Sequence, residues 1–170
     1  MKKKKTGKSA MDSALDYLTS RPRTVREMEN YLDGQNYGEY EVYAAVERLK
    51  ELKYLDDVRD AADFVSTRLA TKPLSRRKLK EQLRTHYLSA DDIDAAMEQV
   101  TDDVERRNAM AVAEKFYRQF EGLEEYDRRQ RVVRRLAGRG YDFGVIRDSV
   151  EELIGAIDCP IELSLIHISE

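Results

Sequence analysis

Apolar residues recur three or four positions apart along this chain, in short runs divided by polar breaks. Met11, Ala14 and Leu18 make one run; Ala62, Val65 and Leu69 another; Ala113, Phe116 and Phe120 a third. Such spacing marks one face of a helix. The pattern also returns at long range. Shifted by 51 residues, "RPRTVREMENYL" falls on "KPLSRRKLKEQL", with Pro22 on Pro73, Thr24 on Ser75, Met28 on Leu79 and Leu32 on Leu83. The register continues with Tyr37 on Leu88, Gly38 on Ser89, Val42 on Ile93, Val46 on Met97 and Leu49 on Val100. A third copy lies 53 residues further on. It sets Val132, Leu136, Tyr141, Asp142, Ile146, Val150 and Leu153 against Leu79, Leu83, Leu88, Ser89, Ile93, Met97 and Val100. A fixed period of this length signals a repeat architecture.

Each unit reads as three short helices. Second helices are predicted to open at Thr24, Ser75 and Asp127, and third helices near Gly38, Ser89 and Asp142, all residue types that suit an N-cap. Thr24 and Glu27 have capping-box spacing. Gly138 and Gly140 flank the last turn, and Gly34 sits near the end of an earlier helix, where a positive φ stops helix growth. One such unit buries few large side chains, at roughly 1.5–3 kcal/mol each, and is marginal against chain entropy. Stacked neighbours would close its open faces. The predicted fold is therefore all-α, an elongated curved array of three tandem three-helix repeats at 9–56, 57–102 and 103–157. Residues 1–8 read as a basic disordered tail that could also touch nucleic acid through Lys2 to Lys5. Residues 158–170 read as a non-native tail, because "SLIHISE" looks like translated cloning sequence.

Composition narrows the functional classes. Hydrophobic residues make up 41% and charged residues 37%, which suits slender helices with a wet surface. The single cysteine, Cys159, excludes an internal disulfide framework and fits a reducing cytosol. No apolar run approaches the ~18 residues of a membrane span. A cytoplasmic monomer without membrane contact is expected.

Catalytic signals are weak. No P-loop, G-x-G-x-x-G or G-x-S-x-G occurs. His86 and His167 are the two histidines, too few for the usual metal sites. His86 reads as a helix-end residue. Asp56-Asp57, Asp91-Asp92 and Asp102-Asp103 each fall near a predicted helix start, where negative charge favours the helix dipole. No enzyme, no metal and no cofactor is expected. Of the ten tyrosines, Tyr17, Tyr31, Tyr37, Tyr43, Tyr54 and Tyr141 lie at or beside apolar positions and are expected in or at the core. Tyr40, Tyr87 and Tyr126 are expected at the surface.

Charge is more informative. The formal net charge is -3, yet "RRQRVVRRLAGR" at 128–139 holds six arginines and no acid. Residues 68–84 hold seven basic residues against one acid, Glu81. On a helix, Arg76, Arg77, Lys80 and Arg84 occupy an arc beside Leu79 and Leu83. Arg128, Arg131, Arg134 and Arg135 lie away from Val132, Val133 and Leu136, and Arg139 follows. These nine residues are the candidate partner-binding or nucleic-acid-binding set. Two second helices carrying such stripes would form one positive strip, suited to a polyanion or an acidic protein groove.

"ALDYLTSRPRTVREMENYL", "AAVERLKELKYLDD" and "RLAGRGYDFGVIRDSV" resemble segments of the bacterial RecX regulatory proteins. The likeness runs from about Ala10 to Leu153. It implies a regulator that binds the RecA recombinase filament on single-stranded DNA and lodges in its helical groove. There it dampens RecA's ATPase, strand-exchange and coprotease activities, and so acts in homologous recombination, DNA repair and the SOS response. One departure stands out. The family commonly has glycines in the middle repeat, including a K-G-I/V turn, whereas "TKPLSRRKLKEQLRTHYLS" has none. Read without the resemblance, the basic stripes leave two other classes open: a module that binds nucleic acid directly and weakly, and a helical-repeat adaptor.

Overall fold

A computed structural model describes residues 7–154. Among the described residues it contains nine α-helices and no strand: α1 (Ala10–Leu18), α2 (Val25–Gly34), α3 (Glu39–Glu51), α4 (Asp57–Thr71), α5 (Arg76–Arg84), α6 (Ala90–Met97), α7 (Asp102–Gln119), α8 (Glu125–Ala137) and α9 (Phe143–Ile154). They follow one another as three tandem three-helix domains. The expectations for Lys2 to Lys5, Cys159, His167 and the 158–170 tail lie outside the described residues.

Burial follows the period read from the sequence. Met28, Leu79 and Val132 are fully buried at matched positions, as are Leu32, Leu83 and Leu136, and Val42, Ile93 and Ile146 are buried on the third helices. Contacts group the chain into two compact units. One contains the residues up to Phe64 together with Gln82–Ala96; the other contains Val65–Glu81 and the residues from Met97 onward. The division cuts through the middle three helices. In the first unit, α1, α2 and α3 pack Ala14, Met28, Leu32, Val46 and Leu49 into one core. In the second, α7, α8 and α9 pack Ala113, Phe116, Val132, Leu136, Ile146 and Val150 into another.

Helix starts obey the capping chemistry, with one exception. Thr24 and Glu27 form the full capping box of α2. Ser75 Oγ accepts from Lys78 N at 3.1 Å, Ser89 Oγ from Asp92 N at 3.1 Å, and Asp142 Oδ1 from Val145 N at 2.9 Å. The eighth helix departs from expectation, since Glu124 rather than Asp127 caps it and Asp127 lies inside its first turn. The acidic residues Glu125 and Asp127 there favour the positive end of the helix dipole without a side-chain cap bond.

The turns between second and third helices are equivalent as well. Each is closed by one residue in the left-handed region: Asn36 at φ 64°, Tyr87 at φ 59° and Gly140 at φ 85°. These positions are themselves 51 and 53 residues apart. Gly34 and Gly138, expected to supply this conformation, do not: Gly34 ends α2, and Gly138 is right-handed. Gly140 is required for space too, because a Cβ there would meet Ser75 Oγ at 2.7 Å and Lys78 Cβ at 3.0 Å. The middle repeat thus keeps the turn without a glycine. A tyrosine in that conformation costs about 1–2 kcal/mol of steric strain.

Candidate functional site

In the second unit, Phe116 and Tyr117 of α7 and Phe120, the residue that caps its C-terminus, face one edge of α8. Val132, Val133 and Leu136 of α8 are buried in the core. Residues 128, 131, 135 and 139 follow one another at steps of three, four and four, so they form one stripe on the helix and the turn beyond it. Each guanidinium of that stripe lies over one of these rings. Arg128 sits 3.3 Å from the Tyr117 centroid, Arg131 5.8 Å from Phe120, and Arg135 and Arg139 5.3 and 4.8 Å from Phe116. The aliphatic stems cover apolar surface while the charged heads border water, and each cation also meets the negative face of a ring. Arg128 is anchored further by Nε donating to the Tyr117 carbonyl at 2.7 Å.

Among the described residues, no carboxylate forms an ion pair with Arg128, Arg131, Arg134, Arg135 or Arg139. Glu125, at the start of α8, is taken by Arg129 at 2.7 Å and by the Tyr117 hydroxyl at 2.9 Å. Partial burial pushes the Glu125 carboxyl up, but the bonds from Arg129 and Tyr117 outweigh it and leave it below its ordinary value. Arg139 is half-buried. Loss of water lowers its pKa, Tyr141 opposes that shift, and Arg135 adds to it. Its Nη1 donates to the Arg135 carbonyl at 3.3 Å, while its Nε is buried without a partner. Two like charges therefore share the Phe116 ring with nothing negative between them.

The other stripe is arranged differently. Arg76 is half-buried, and its guanidinium pairs with Asp102 while its backbone N–H donates to Glu105 Oε1 at 2.9 Å. Both acids stand in the first turn of α7. Ser75 N donates to the Arg139 carbonyl at 3.1 Å, so the start of α5 docks on the turn that follows α8. Arg77 is exposed and Lys80 half-buried. Arg84 is exposed and groups with the first unit. The absence of acids within the segment 68–84 apart from Glu81 had suggested an unneutralised stripe; at Arg76 the neutralising charge comes from another helix.

The first unit carries a second cluster. Glu27 Oε1 accepts from Arg21 at 3.0 Å and lies 3.0 Å from His86 Nδ1. Thr24 Oγ1 donates to the His86 carbonyl at 2.7 Å, and the His86 ring meets Phe64 edge-on at 5.6 Å. Burial raises the Glu27 carboxyl, but bonds from Arg21 and His86 bring it below its usual range. His86 thus lies in the turn after α5 and fastens it to the start of α2.

Two tyrosines depart from expectation. Tyr37 and Tyr141 are buried and Tyr17 stacks on Tyr31 at 3.9 Å, but Tyr43 and Tyr54 are 64% and 56% exposed. Tyr43 lies on the outer face of α3, and Tyr54 follows the left-handed Lys53 that ends that helix. In the sequence, the aromatic shelf under the α8 arginines shows only as the apolar run at Phe116 and Phe120. Its signal is the adjacent Tyr117, where the matched residue in the second repeat is Ser66. No group of three or more His, Cys, Asp or Glu side chains converges among the described residues. No helix among them is long and apolar enough to cross a membrane.

Tandem three-helix domains and a ring-supported row of cations define an all-helical repeat protein built around surface contacts. The family models named for RecX match along its length: the first three-helix domain at residues 10–49, the second at 56–97 and the third at 103–150. The chain belongs to the RecX family. The regulatory protein RecX of Streptomyces lividans is 30% identical over 142 residues, covering 81% of this chain and 76% of that protein. Regulatory protein RecX of Bacillus pumilus is 28% identical over 145 residues, covering 85% of this chain. The chain spans only 55% of that relative's length. A crystal structure titled regulatory protein RecX is 28% identical with a TM-score of 0.65, covering 85% of this chain and 70% of that one. The crystal structure of RecX from Lactobacillus salivarius, at 21% identity and a TM-score of 0.70, shares the fold over 85% of this chain and 94% of its own.

Proposed function

We propose that the chain is a regulator that binds the RecA recombinase filament and mainly inhibits it, with the α8 cation row as a principal contact. The observation that carries this reading, beside family membership, is a row of guanidinium groups held on α7 rings without carboxylate partners. Holding them on rings fixes their direction before binding, so less side-chain entropy is lost when an acidic surface arrives. Partner charge would steer the encounter and fix the register. Of the remaining candidates, Arg77, Lys80 and Arg84 add positive charge on α5, whereas Arg76 is committed to Asp102.

The test is RecA-dependent ATP hydrolysis on single-stranded DNA, titrated with the protein. Inhibition is expected near stoichiometric amounts. Charge reversal at Arg131, Arg134 and Arg135 should raise the half-inhibiting concentration at least about tenfold with helix content unchanged. An unaffected ATPase at equimolar protein would reject the proposal. A second reading, direct nucleic-acid binding, draws on the same unpaired row. It requires affinity without RecA that falls steeply with salt, by about 0.7 log units per log unit of salt for each neutralised phosphate of a single strand.

A further inference from the structure

The far end of α8 keeps two cations on one ring. Arg135 and Arg139 lie about one helical turn apart, and their guanidinium groups sit 5.3 and 4.8 Å from the centroid of the buried Phe116 ring. Loss of water already disfavours the charge on Arg139; Tyr141 opposes that effect and Arg135 adds to it. The ring face attracts each cation, yet a ring has no net charge and neutralises neither. Among the described residues no carboxylate pairs with either guanidinium.

The hydrogen bonds point the same way. Arg139 donates through Nη1 to the Arg135 carbonyl, and its Nε is buried without a partner. The Arg135 guanidinium has no hydrogen-bond partner among the described residues. Two donor forks therefore remain open over one ring. An oxyanion between them would accept charge-assisted bonds from both and remove their mutual repulsion.

The opposite end of the helix bears on what carries that oxyanion. Glu124, Glu125 and Asp127 stand at the start of α8, and Glu121 in the turn before it. A nucleic-acid strand running along the row would bring its successive phosphates against those acids. A protein brings one carboxylate to the far end and no charge beyond it.

We infer that Arg135 and Arg139, seated on Phe116, form a bridging site for a single carboxylate, one Asp or Glu side chain of an acidic protein partner held by both guanidinium groups. The inference rests on the reading of the chain as a RecA-filament regulator and deepens it by joining two cations of the α8 row into one site.

The test is a cycle of Arg135→Ala, Arg139→Ala and the double variant, with circular dichroism and the filament ATPase titration read for each. Each single change should raise the half-inhibiting concentration about tenfold, and the double change by little more, because the second guanidinium has no carboxylate left to share. Arg139→Lys keeps the stem and the charge, and carries the test if Arg139→Ala loses helix content. It should lose about as much inhibition, since an ammonium supplies no fork. Losses that multiply in the double variant to about a hundredfold overturn the inference by making the arginines separate contacts. Inhibition by Arg139→Lys within twofold of wild type overturns it as well.

A second arm needs no RecA. Sodium acetate, titrated into the isolated protein against sodium chloride at equal ionic strength, should move the Arg139 Nε resonance saturably in nitrogen NMR, and should not do so in Arg135→Ala. No such shift overturns the site even where the wild type inhibits hydrolysis. A saturable shift in a protein that leaves hydrolysis unchanged supports the site and overturns the RecA reading. An oligothymidylate that displaces acetate at lower concentration than a hexaglutamate peptide would place a phosphate there and overturn the protein partner.

Discussion

The two basic second helices, α5 and α8, carry similar charge and dispose of it in opposite ways. At the start of α5, the Arg76 guanidinium meets Asp102, its backbone N–H donates to Glu105, and Lys78 meets Glu81 at 3.4 Å. Along α8 and the turn beyond it, four arginines lie on Tyr117, Phe120 and Phe116, and only Arg129, off that stripe, takes a carboxylate. The cause is the helix that precedes each in its repeat. Position for position, α7 has Phe116, Tyr117 and Phe120 where α4 has Val65, Ser66 and Leu69. A β-branched residue and a serine cannot shelve a guanidinium, so α5 gains its partners from acids and α8 from rings. The lesson is that an arginine count does not measure free charge; the facing side chains do.

The sharpest way to break this contrast is to remove the shelf. Phe116→Ala should cost about 3–5 kcal/mol in urea denaturation, because it empties a buried aromatic site and frees Arg135 and Arg139 together. Val65→Ala, at the matched position, should cost about 2 kcal/mol and release no cation. Equal costs would mean that the rings contribute only bulk.

Arg139→Ala comes next. Removing a half-buried stem and its cation–π contact should lower stability by about 1 kcal/mol, measured by the same denaturation. A compensating gain from relieving the Arg135 repulsion would shrink that figure and would show how far the row is strained.

Salt separates the two helices more finely. Arg76→Ala should cost under about 1 kcal/mol in dilute buffer, and the cost should fade in 1 M salt, where the screening length is about 3 Å. Arg128→Ala should retain most of its cost in high salt, since a ring contact and a carbonyl bond remain short-ranged. Matching salt responses would put both arginines in the same electrostatic class.

The smallest expected effect is acidic. Glu125 has a folded-state pKa below its ordinary value of 4.5, so its contribution is fully present above that pH and is lost as pH falls through the lowered value. The Glu125→Gln variant should therefore be slightly less stable than wild type at pH 6, by less than about 1 kcal/mol at this exposed site, and the gap should narrow steadily as the pH is lowered below the ordinary carboxylate range. A gap that does not narrow on acidification would trace the effect to packing against Tyr117 rather than to charge.

Much of the architecture was legible because helix periodicity is local. Met28, Leu79 and Val132 announce a shared buried position by spacing alone, and Thr24, Ser75 and Ser89 announce helix starts by capping chemistry. The misplaced start of α8 arose where Glu124 offers no side-chain cap bond. Tyr43 and Tyr54 were misjudged because proximity to an apolar stripe does not fix the angle around the helix. Gly140 holds the expected left-handed geometry, but Gly34 and Gly138 do not, for a related reason. The left-handed residue belongs to a fixed place in the repeat, two residues beyond Gly34 and Gly138, whatever amino acid stands there.

The amino-acid sequence on its own determined three tandem trihelical units and the positions that line their cores, because a 3.6-residue turn converts spacing directly into a buried face. It also determined that α5 and α8 are basic. Only tertiary structure decided which of those cations meet acids and which lie on rings, and that Tyr87 stands strained and exposed on a clamped turn. Those outcomes depend on side chains brought from other helices, distant along the chain, and spacing along one helix carries no information about its neighbours.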